Sequence, residues 1–269
     1  MAPPPFRLGI IDFLNAAPLN YGFKQGLGEG LFTLDYQVPS VCADRLRDGA
    51  VDAGLVSSIE VVRIPGLAVV PGLCIASPRR VRSVLLLSKV APEEIRLLAL
   101  DPASRSSQVL VQLLLRERYG VCPDVVEAPS DPLAMLGACD AALVIGDPAM
   151  RADRRGLLVL DLAEEWHAWT GLPFVFALWA VRRDAPQPDR PGGVVPFFHR
   201  SLECGMTHLE GVVAQARREV GWTAQELREY FTENISYRLG ESERESLSLF
   251  YEKAARHGFA PNGARLTLL

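Results

Sequence analysis

The chain has 269 residues, of which 49% are hydrophobic and 22% are charged, and its formal net charge is −4. A chain of this length builds one large core or two modest cores of roughly 100 to 150 residues each. The slightly acidic balance, with a pI near 5.7, does not favour binding to nucleic acid or to an anionic membrane surface.

Three further sequence features bear on membrane insertion, location and cysteine chemistry. The longest apolar run, Leu172 to Val181, has ten residues, well short of the ~20 that span a bilayer. Met1 to Phe6 lacks the basic start and apolar segment of a secretory signal, so we expect a cytoplasmic protein. The five cysteines are scattered without a C-x-x-C pair, which favours reduced, buried thiols over disulfides or zinc ligands.

Short strand-like runs alternate with helical patterns near the start of the chain, which is typical of an α/β fold. The predicted elements are a strand over Leu8 to Ile11, a helix near Pro18 to Gly26, a strand ending at Val38, a helix from Pro39-Ser40 to about Asp48, and a strand over Asp52 to Val56. This last strand ends on the polar pair Ser57-Ser58. Ligands of open α/β sheets gather at the carboxyl ends of strands, so we expect Asn15 and Ser57-Ser58 to face one crevice.

A second α/β pattern follows, and the chain then ends in a predicted helical tail. The predicted strands cover Ser83 to Ser88, Leu97 to Leu100, Asp124 to Glu127, Ala141 to Ile145 and Leu157 to Leu162, and the predicted helices lie over Gln108 to Arg118 and near Pro132 to Leu136. Two such units predict two lobes with a cleft between them, joined by strands near Ser83 to Val90 and Phe174 to Arg182. Such a shape closes on a ligand by hinge motion.

Two turns are candidate anion sites. Asn15 lies where a strand turns into a helix with Pro18 at its start, and the free N–H groups of a first helical turn suit an anion. The turn Ser104 to Ser107 places hydroxyls at a second helix start. The alternative for both turns is ordinary helix capping. Arg105 either contacts an anion or pairs with Asp101.

Motifs for other chemistries do not occur in the sequence. There is no G-x-S-x-G, G-x-G-x-x-G, G-x-x-x-x-G-K-[ST] or H-x-x-x-H, and the four histidines lie away from the turns described above. We therefore expect no metal and no organic cofactor. Amides, hydroxyls and backbone N–H groups bind anions and stabilise developing negative charge.

Six segments resemble the chorismate dehydratase family of the futalosine route to menaquinone. The segments are Asp12 to Leu19, Asp52 to Ser58, Val81 to Val84, Asp101 to Ser107, Ile145 to Asp147 and Trp169 to Phe176. The resemblance implies a two-lobe fold like that of the type II periplasmic binding proteins, with lobe I formed by residues 1–88 and 179–269 and lobe II by residues 89–178. It also implies conversion of chorismate, a small-molecule substrate, into 3-[(1-carboxyvinyl)oxy]benzoate and water.

The resemblance also implies roles for individual residues. Asn15 and Ser83 would position the reacting centre and the departing hydroxyl, while the turns at Ser57-Ser58 and Ser106-Ser107 would hold the two carboxylates. The alternative for Ser83 is a buried strand hydroxyl without a role in the site. The other residues expected to contact the substrate are Leu14, Ser40, Ile75, Arg105, Gly146, Asp147, Leu172, Pro173 and Phe174.

Two questions stay open at the level of sequence. The base is either the enolpyruvyl carboxylate of the substrate itself or Asp147. The function has three alternatives: a cytosolic or trimmed solute-binding protein for an aromatic or dicarboxylic acid, a related menaquinone enzyme acting on a later, cyclised intermediate, and the sensing domain of a transcriptional regulator. The sequence does not indicate an oligomeric state, and it gives no sign of a nucleic-acid or membrane partner.

Overall fold

A computed structural model describes residues 5–186 and 192–269. Its fold is built around two β-sheets. The strands are β1 (Phe6–Ile11), β2 (Phe32–Gln37), β3 (Ala53–Ser57), β4 (Leu67–Val69), β5 (Leu73–Ser77), β6 (Val84–Ser88), β7 (Leu97–Leu100), β8 (Asp124–Glu127), β9 (Ala141–Ile145), β10 (Leu158–Asp161), β11 (Phe174–Arg182) and β12 (Ser236–Arg238). The first sheet has the order β12-β5-β11-β3-β1-β2, with β4 also paired to β11, and the second has the order β10-β6-β9-β7-β8.

Helices surround both sheets. They are α1 (Ala17–Lys24), α2 (Pro39–Arg47), α3 (Glu60–Arg63), α4 (Arg105–Glu117), α5 (Pro132–Ala138), α6 (Gly146–Arg151), α7 (Leu162–Thr170), α8 (Val195–Thr207), α9 (Leu209–Val220), α10 (Ala224–Glu229) and α11 (Glu241–Arg256). Short 3₁₀ turns cover Leu14–Ala16 and Pro92–Glu94, and a π-helical turn covers Tyr230–Asn234. The predicted α/β class is confirmed. No helix in the described ranges is long and apolar enough to cross a membrane.

The chain crosses between the sheets twice. It leaves the first sheet after β5, enters the second at β6, and returns between β10 and β11. Strand β6 pairs with β9 and β10, and β11 pairs with β3, β4 and β5. Residues 84–88 therefore belong with the second sheet and residues 174–178 with the first, the opposite of the predicted lobe assignment. A division by sheets falls within residues 78–83 and 162–173, and lobe limits remain a prediction.

Helix α2 packs closely on the centre of the first sheet because two glycines lie beneath it. A Cβ at Gly9 would lie 2.5 Å from the Cys42 Sγ, and a Cβ at Gly54 would lie 2.2 Å from the same atom. Cys42 thus fills the space above β1 and β3, and burial raises the pKa of its thiol to about 12. All five cysteines are unpaired, but Cys122 is exposed and Cys204 partly exposed, so the expectation of buried thiols is wrong for those two.

Candidate active site

A cavity of about 460 Å³, counting the space open to solvent, lies between the two sheets. Both sheets contribute to its wall. With each lobe taken as one sheet and the segments packed on it, the lining residues are Ile11, Phe13, Asn15, Pro39, Leu55, Ser57, Ile75, Phe176 and Ala177 from the first lobe, and Val84, Ser104, Ser107, Ile145 and Gly146 from the second. Asn15 and Ser57 therefore share one crevice as expected, whereas Ser58, expected to face the same crevice, does not line it.

Asn15 faces the cavity from the 3₁₀ turn before α1. Helix α1 has Ala16 as its N-cap, and no side-chain capping bond is made there or at the 3₁₀ turn. The alternative prediction that Asn15 caps the helix is therefore wrong. Its backbone carbonyl accepts a hydrogen bond of 3.0 Å from the Tyr237 hydroxyl, which holds the turn in place.

Ser57 and Ser58, at the end of β3, have opposite roles. Ser57 lines the cavity with 2% of its surface exposed, and its hydroxyl has no hydrogen-bond partner among the described residues. Ser58 instead donates to the Val175 carbonyl at 2.7 Å and lies 2.9 Å from the Ser106 hydroxyl. Because the single Ser58 proton goes to Val175, Ser106 is the donor in that pair. Ser58 and Ser106 thus join the lobes and do not line the cavity.

The N-terminus of α4 brings two other serines to the cavity. Ser104 is the N-cap, and its oxygen accepts from the Ser107 N–H at 3.4 Å. The two hydroxyls lie 2.9 Å apart, and both residues line the cavity. The sequence predicts that Ser104 lies in this turn, but Ser104 is not among the residues expected to contact the substrate. Its signal was the spacing of three residues between Ser104 and Ser107, the spacing of an N-cap and its N3 residue.

Arg105 is committed to carboxylates away from the cavity. Its guanidinium donates to both oxygens of Asp44, at 3.0 and 2.9 Å, and to Glu60 at 3.0 Å. The hydrogen bond from Arg105 is the main cause that lowers the pKa of Asp44. Glu60, 1% exposed, also pairs with Arg47 and Arg63. Neither predicted role for Arg105, an anion contact or a pair with Asp101, is what the structure shows.

Ser83 lies one residue before Val84 and is fully buried outside the cavity lining. Its hydroxyl is 2.8 Å from the Tyr230 hydroxyl, and its carbonyl accepts from the Gly146 N–H at 2.7 Å. Both Val84 and Gly146 line the cavity. Ser83 therefore lies directly next to the wall of the cavity, and its role there stays a prediction.

Gly146 and Asp147 follow β9. Gly146 has a φ of +61°, and a Cβ placed on it would lie 3.7 Å from the Phe13 ring. Asp147 does not line the cavity, and one of its oxygens is buried without a hydrogen-bond partner in the described part of the chain. Burial raises the pKa of Asp147, and a hydrogen bond from the Leu14 backbone opposes that shift.

The remaining predicted contacts divide into one that lines the cavity and five that do not. Ile75 lines it. The residues outside its lining are Leu14, Ser40, Leu172, Pro173 and Phe174. Phe174 instead joins an aromatic cluster, with ring centroids 5.4 Å from Trp166 and 5.0 Å from Phe250. Its neighbour along the strand, Phe176, lies on the cavity wall, as does Phe13, and sequence reasoning missed both.

The two sheets and the cavity between them define a two-lobe protein with the fold of the periplasmic binding proteins. A solved protein from Archaeoglobus fulgidus matches with a TM-score of 0.77 at 17% identity, covering 96% of this chain and 99% of that one. The periplasmic aliphatic sulphonate binding protein from Escherichia coli matches with a TM-score of 0.61 at 14% identity, covering 100% and 94%. The fold expected from the resemblance is thereby confirmed.

Sequence comparison narrows the class to one family. A family model described as menaquinone biosynthesis matches residues 6–256. The chorismate dehydratase of Thermus thermophilus is 33% identical over 275 residues, which cover 96% of this chain and 97% of that protein. The chain belongs to the menaquinone biosynthesis family.

Proposed function

We propose that this chain is a chorismate dehydratase, a carbon–oxygen lyase that converts chorismate into 3-[(1-carboxyvinyl)oxy]benzoate and water. The observation that carries the proposal is the cavity wall between the lobes. Among the described residues that line it, the polar side chains are Asn15, Ser57, Ser104 and Ser107, and all four are uncharged. The matching relative in the same family is named for this activity.

Neutral donors suit this reaction for a chemical reason. The hydrogen on the ether-bearing ring carbon of chorismate is acidic, because the charge left behind spreads through the diene into the ring carboxylate. Loss of the adjacent hydroxyl then gives an aromatic ring. The protein therefore needs fixed donors near the carboxylates and the leaving hydroxyl more than it needs a strong base.

The cavity offers such donors in two places. Helix α4 has thirteen residues and directs its N-terminus, with Ser104 and Ser107, at the cavity, and free N–H groups at a helix start favour a carboxylate. The unpartnered Ser57 hydroxyl at the end of β3 is a second donor, on the opposite lobe. In this proposal one substrate carboxylate binds at each place, and Asn15 orients the ring between them.

The geometry favours the substrate's own enolpyruvyl carboxylate as the base. Asp147, the protein alternative, is outside the cavity lining. A carboxylate carried on the ether side chain lies close to the acidic hydrogen by its covalent structure. The role of the protein is then to fix the conformation in which that carboxylate reaches the hydrogen.

Incubation of the purified protein with chorismate tests the proposal, with the aromatic product followed by absorbance and by mass. The expected result is turnover without added metal or cofactor, and Asn15→Ala should lower kcat without loss of the fold. Binding without product would overturn the enzyme assignment in favour of a solute-binding protein. The proposal includes a cytoplasmic location, which cell fractionation tests.

A further inference from the structure

Two buried tyrosines of the C-terminal segment form hydrogen bonds with Ser83 and Asn15, the two residues predicted to act on the reacting centre. The Tyr230 hydroxyl is 2.8 Å from the Ser83 Oγ, and the Tyr237 hydroxyl donates to the Asn15 carbonyl at 3.0 Å. The exposed fractions of the two tyrosines are 1% and 8%. The sequence predicted only helical packing for this part of the chain.

Local structure explains how the two hydroxyls reach Ser83 and the Asn15 carbonyl. Tyr230 begins the π-helical turn, which the Ile235 N–H closes on the Tyr230 carbonyl at 2.9 Å. Such turns are rare and occur frequently at functional sites. Strand β12 then pairs antiparallel with β5 through Ser236 and Arg238. Side chains alternate along a strand, so Tyr237 projects from the face opposite to its two neighbours.

Two hydrogen bonds and one ring contact hold the backbone directly before Ser83. Asp161 accepts hydrogen bonds from the N–H groups of Val81 and Arg82, at 3.1 and 2.6 Å. The Arg82 guanidinium stacks 4.1 Å above the Trp222 ring. A serine hydroxyl still rotates when its backbone is fixed, and Tyr230 is the nearer of its two partners, since the Val81 carbonyl lies at 3.4 Å.

We infer that Tyr230 and Tyr237 are positioning residues for the dehydration, Tyr230 through the Ser83 hydroxyl and Tyr237 through the backbone of the Asn15 turn. The inference rests on the proposed function. Neither tyrosine lines the cavity, and neither does Ser83, so Tyr230 acts through Ser83 on the wall residues Val84 and Gly146, whereas Tyr237 acts through Asn15, which lines the cavity. Burial raises the pKa of both phenols, so both remain protonated hydrogen-bond partners and neither serves as a base.

Tyr230→Phe and Tyr237→Phe test the inference, with Tyr251→Phe as the matched control. Tyr251 is 1% exposed and also donates to a backbone carbonyl, but its acceptor is Ser58 at 2.9 Å and not Asn15 or Ser83. The first two variants are expected to lose about tenfold in kcat, the usual order of effect for one buried hydrogen bond, with KM little changed. The control is expected to lose thermal stability to a similar extent and to keep its kcat.

Double variants separate positioning from a general loss of structure. In a Ser83→Ala background Tyr230→Phe is expected to have no further effect on kcat, whereas Tyr237→Phe keeps its full effect. In an Asn15→Ala background the pattern is reversed. Asn15→Ala keeps the backbone bond to Tyr237 but removes the side chain that this bond orients, so non-additivity in that background reports positioning. Full additivity in both backgrounds, or an equal loss of kcat in Tyr251→Phe, would overturn the inference.

Two further outcomes are distinguishable. An inactive wild-type protein would overturn the proposed function, whereas an active wild type with fully active Tyr230→Phe and Tyr237→Phe would overturn only the positioning roles. If Tyr230→Phe does not fold, 3-fluorotyrosine at position 230 replaces it, because this residue keeps the hydroxyl and changes its acidity. It should change kcat at unchanged thermal stability, and an unchanged kcat would overturn the role of Tyr230.

Discussion

At the scale of single residues, Ser57 holds a hydroxyl that is buried without a partner. Such a group costs about 1–3 kcal/mol of desolvation, so Ser57→Ala is expected to leave the free energy of unfolding unchanged or to raise it. The same change removes a donor for a substrate carboxylate, and kcat/KM for chorismate should fall about tenfold. Urea unfolding and steady-state kinetics on one preparation measure both quantities.

The neighbouring residue supplies the control. Ser58→Ala breaks the hydrogen bonds to Val175 and Ser106 and should destabilise the protein by about 1–2 kcal/mol. Its kcat/KM should fall less than that of Ser57→Ala. The opposite ranking of the two variants in kcat/KM would show that Ser57 is not a contact of the substrate.

Asp147 lies outside the cavity lining, so Asp147→Asn is expected to keep turnover within about threefold. Removal of a general base would instead typically cost 10²-fold or more. The folded pKa of Asp147 is raised by burial above the ~3.9 of an unfolded Asp. The native state therefore holds this proton more tightly, and wild-type stability falls as the pH rises from about 3.9 through the folded pKa. The Asn variant should lack that fall.

Urea unfolding of the wild type and of Asp147→Asn at a series of pH values measures the difference in their free energies of unfolding. This difference should appear as the pH rises and then stay constant. A 10²-fold drop in the kcat of Asp147→Asn with unchanged binding would instead identify Asp147 as the base.

Helical and strand geometry explain which predicted site residues line the cavity. Successive helical residues point about 100° apart, so within the turn at the start of α4 Ser104 and Ser107 share a face, while Arg105 and Ser106 point elsewhere. Likewise, Ser57 and Ser58 point in different directions where β3 ends. The sequence therefore predicted the correct turns, but the partners of Arg105 and Ser106 lie far along the chain and left no local pattern.

At the scale of elements, the sequence predicted most strands and helices of the α/β units, because each has its own hydrophobic pattern and turn residues. Two features lay beyond it. Strands β6 and β11 are apolar on both faces, so nothing in them indicates which sheet they join. Strand β12 has three residues, too few for a visible alternation, and its place in the first sheet depends on β5.

Helices α1 and α8 pack with almost no space between their backbones at Gly205. A Cβ there would lie 2.2 Å from the Pro18 carbonyl oxygen and 2.7 Å from the Pro18 Cα, and backbone atoms cannot move aside as a flexible side chain does. Gly205→Ala is expected to destabilise the protein by about 1–3 kcal/mol or more. Thermal and urea unfolding measure the effect.

Gly211 in α9 is the matched control, because a Cβ at that position meets nothing within 4 Å. Gly211→Ala is expected to stabilise the protein by about 0.5–1 kcal/mol through the better helix propensity of alanine. Equal effects of the two substitutions would show that propensity, and not the approach of the helices, governs Gly205.

At the scale of the whole molecule, polar contacts outside the cavity lining join the two lobes. Arg105 on α4 reaches Asp44 on α2 and Glu60 on α3, and Ser106 reaches Ser58. On the tail, Lys253 pairs with Glu117 of α4 at 2.6 Å. The predicted hinge motion that opens the cavity would break some of these contacts, and their strength would then set part of the balance between open and closed forms.

Arg105→Ala removes one of these links and is expected to shift the ligand-free protein towards an open form. The radius of gyration from small-angle X-ray scattering should increase, and saturating product should restore the wild-type value. KM should rise because part of the binding free energy is then used to close the protein. The loss of charged hydrogen bonds should lower the free energy of unfolding by about 1–3 kcal/mol.

Arg47→Ala is the control that separates closure from the ion cluster itself. Arg47 pairs with the same two carboxylates, Asp44 and Glu60, but all three lie in the first lobe. Its removal should change stability by about 0–1 kcal/mol, since the side chain is well exposed, and should leave the radius of gyration unchanged. The two variants can be compared at neutral pH because the pKa of Asp44 is lowered in the fold. The link from Asp44 to Arg105 is therefore complete above ~3.9, the pKa of an unfolded Asp, and weakens only as the pH falls through the lower, folded pKa. Equal scattering from both variants at neutral pH would mean that the bonds from Arg105 to Asp44 and Glu60 have no part in closure.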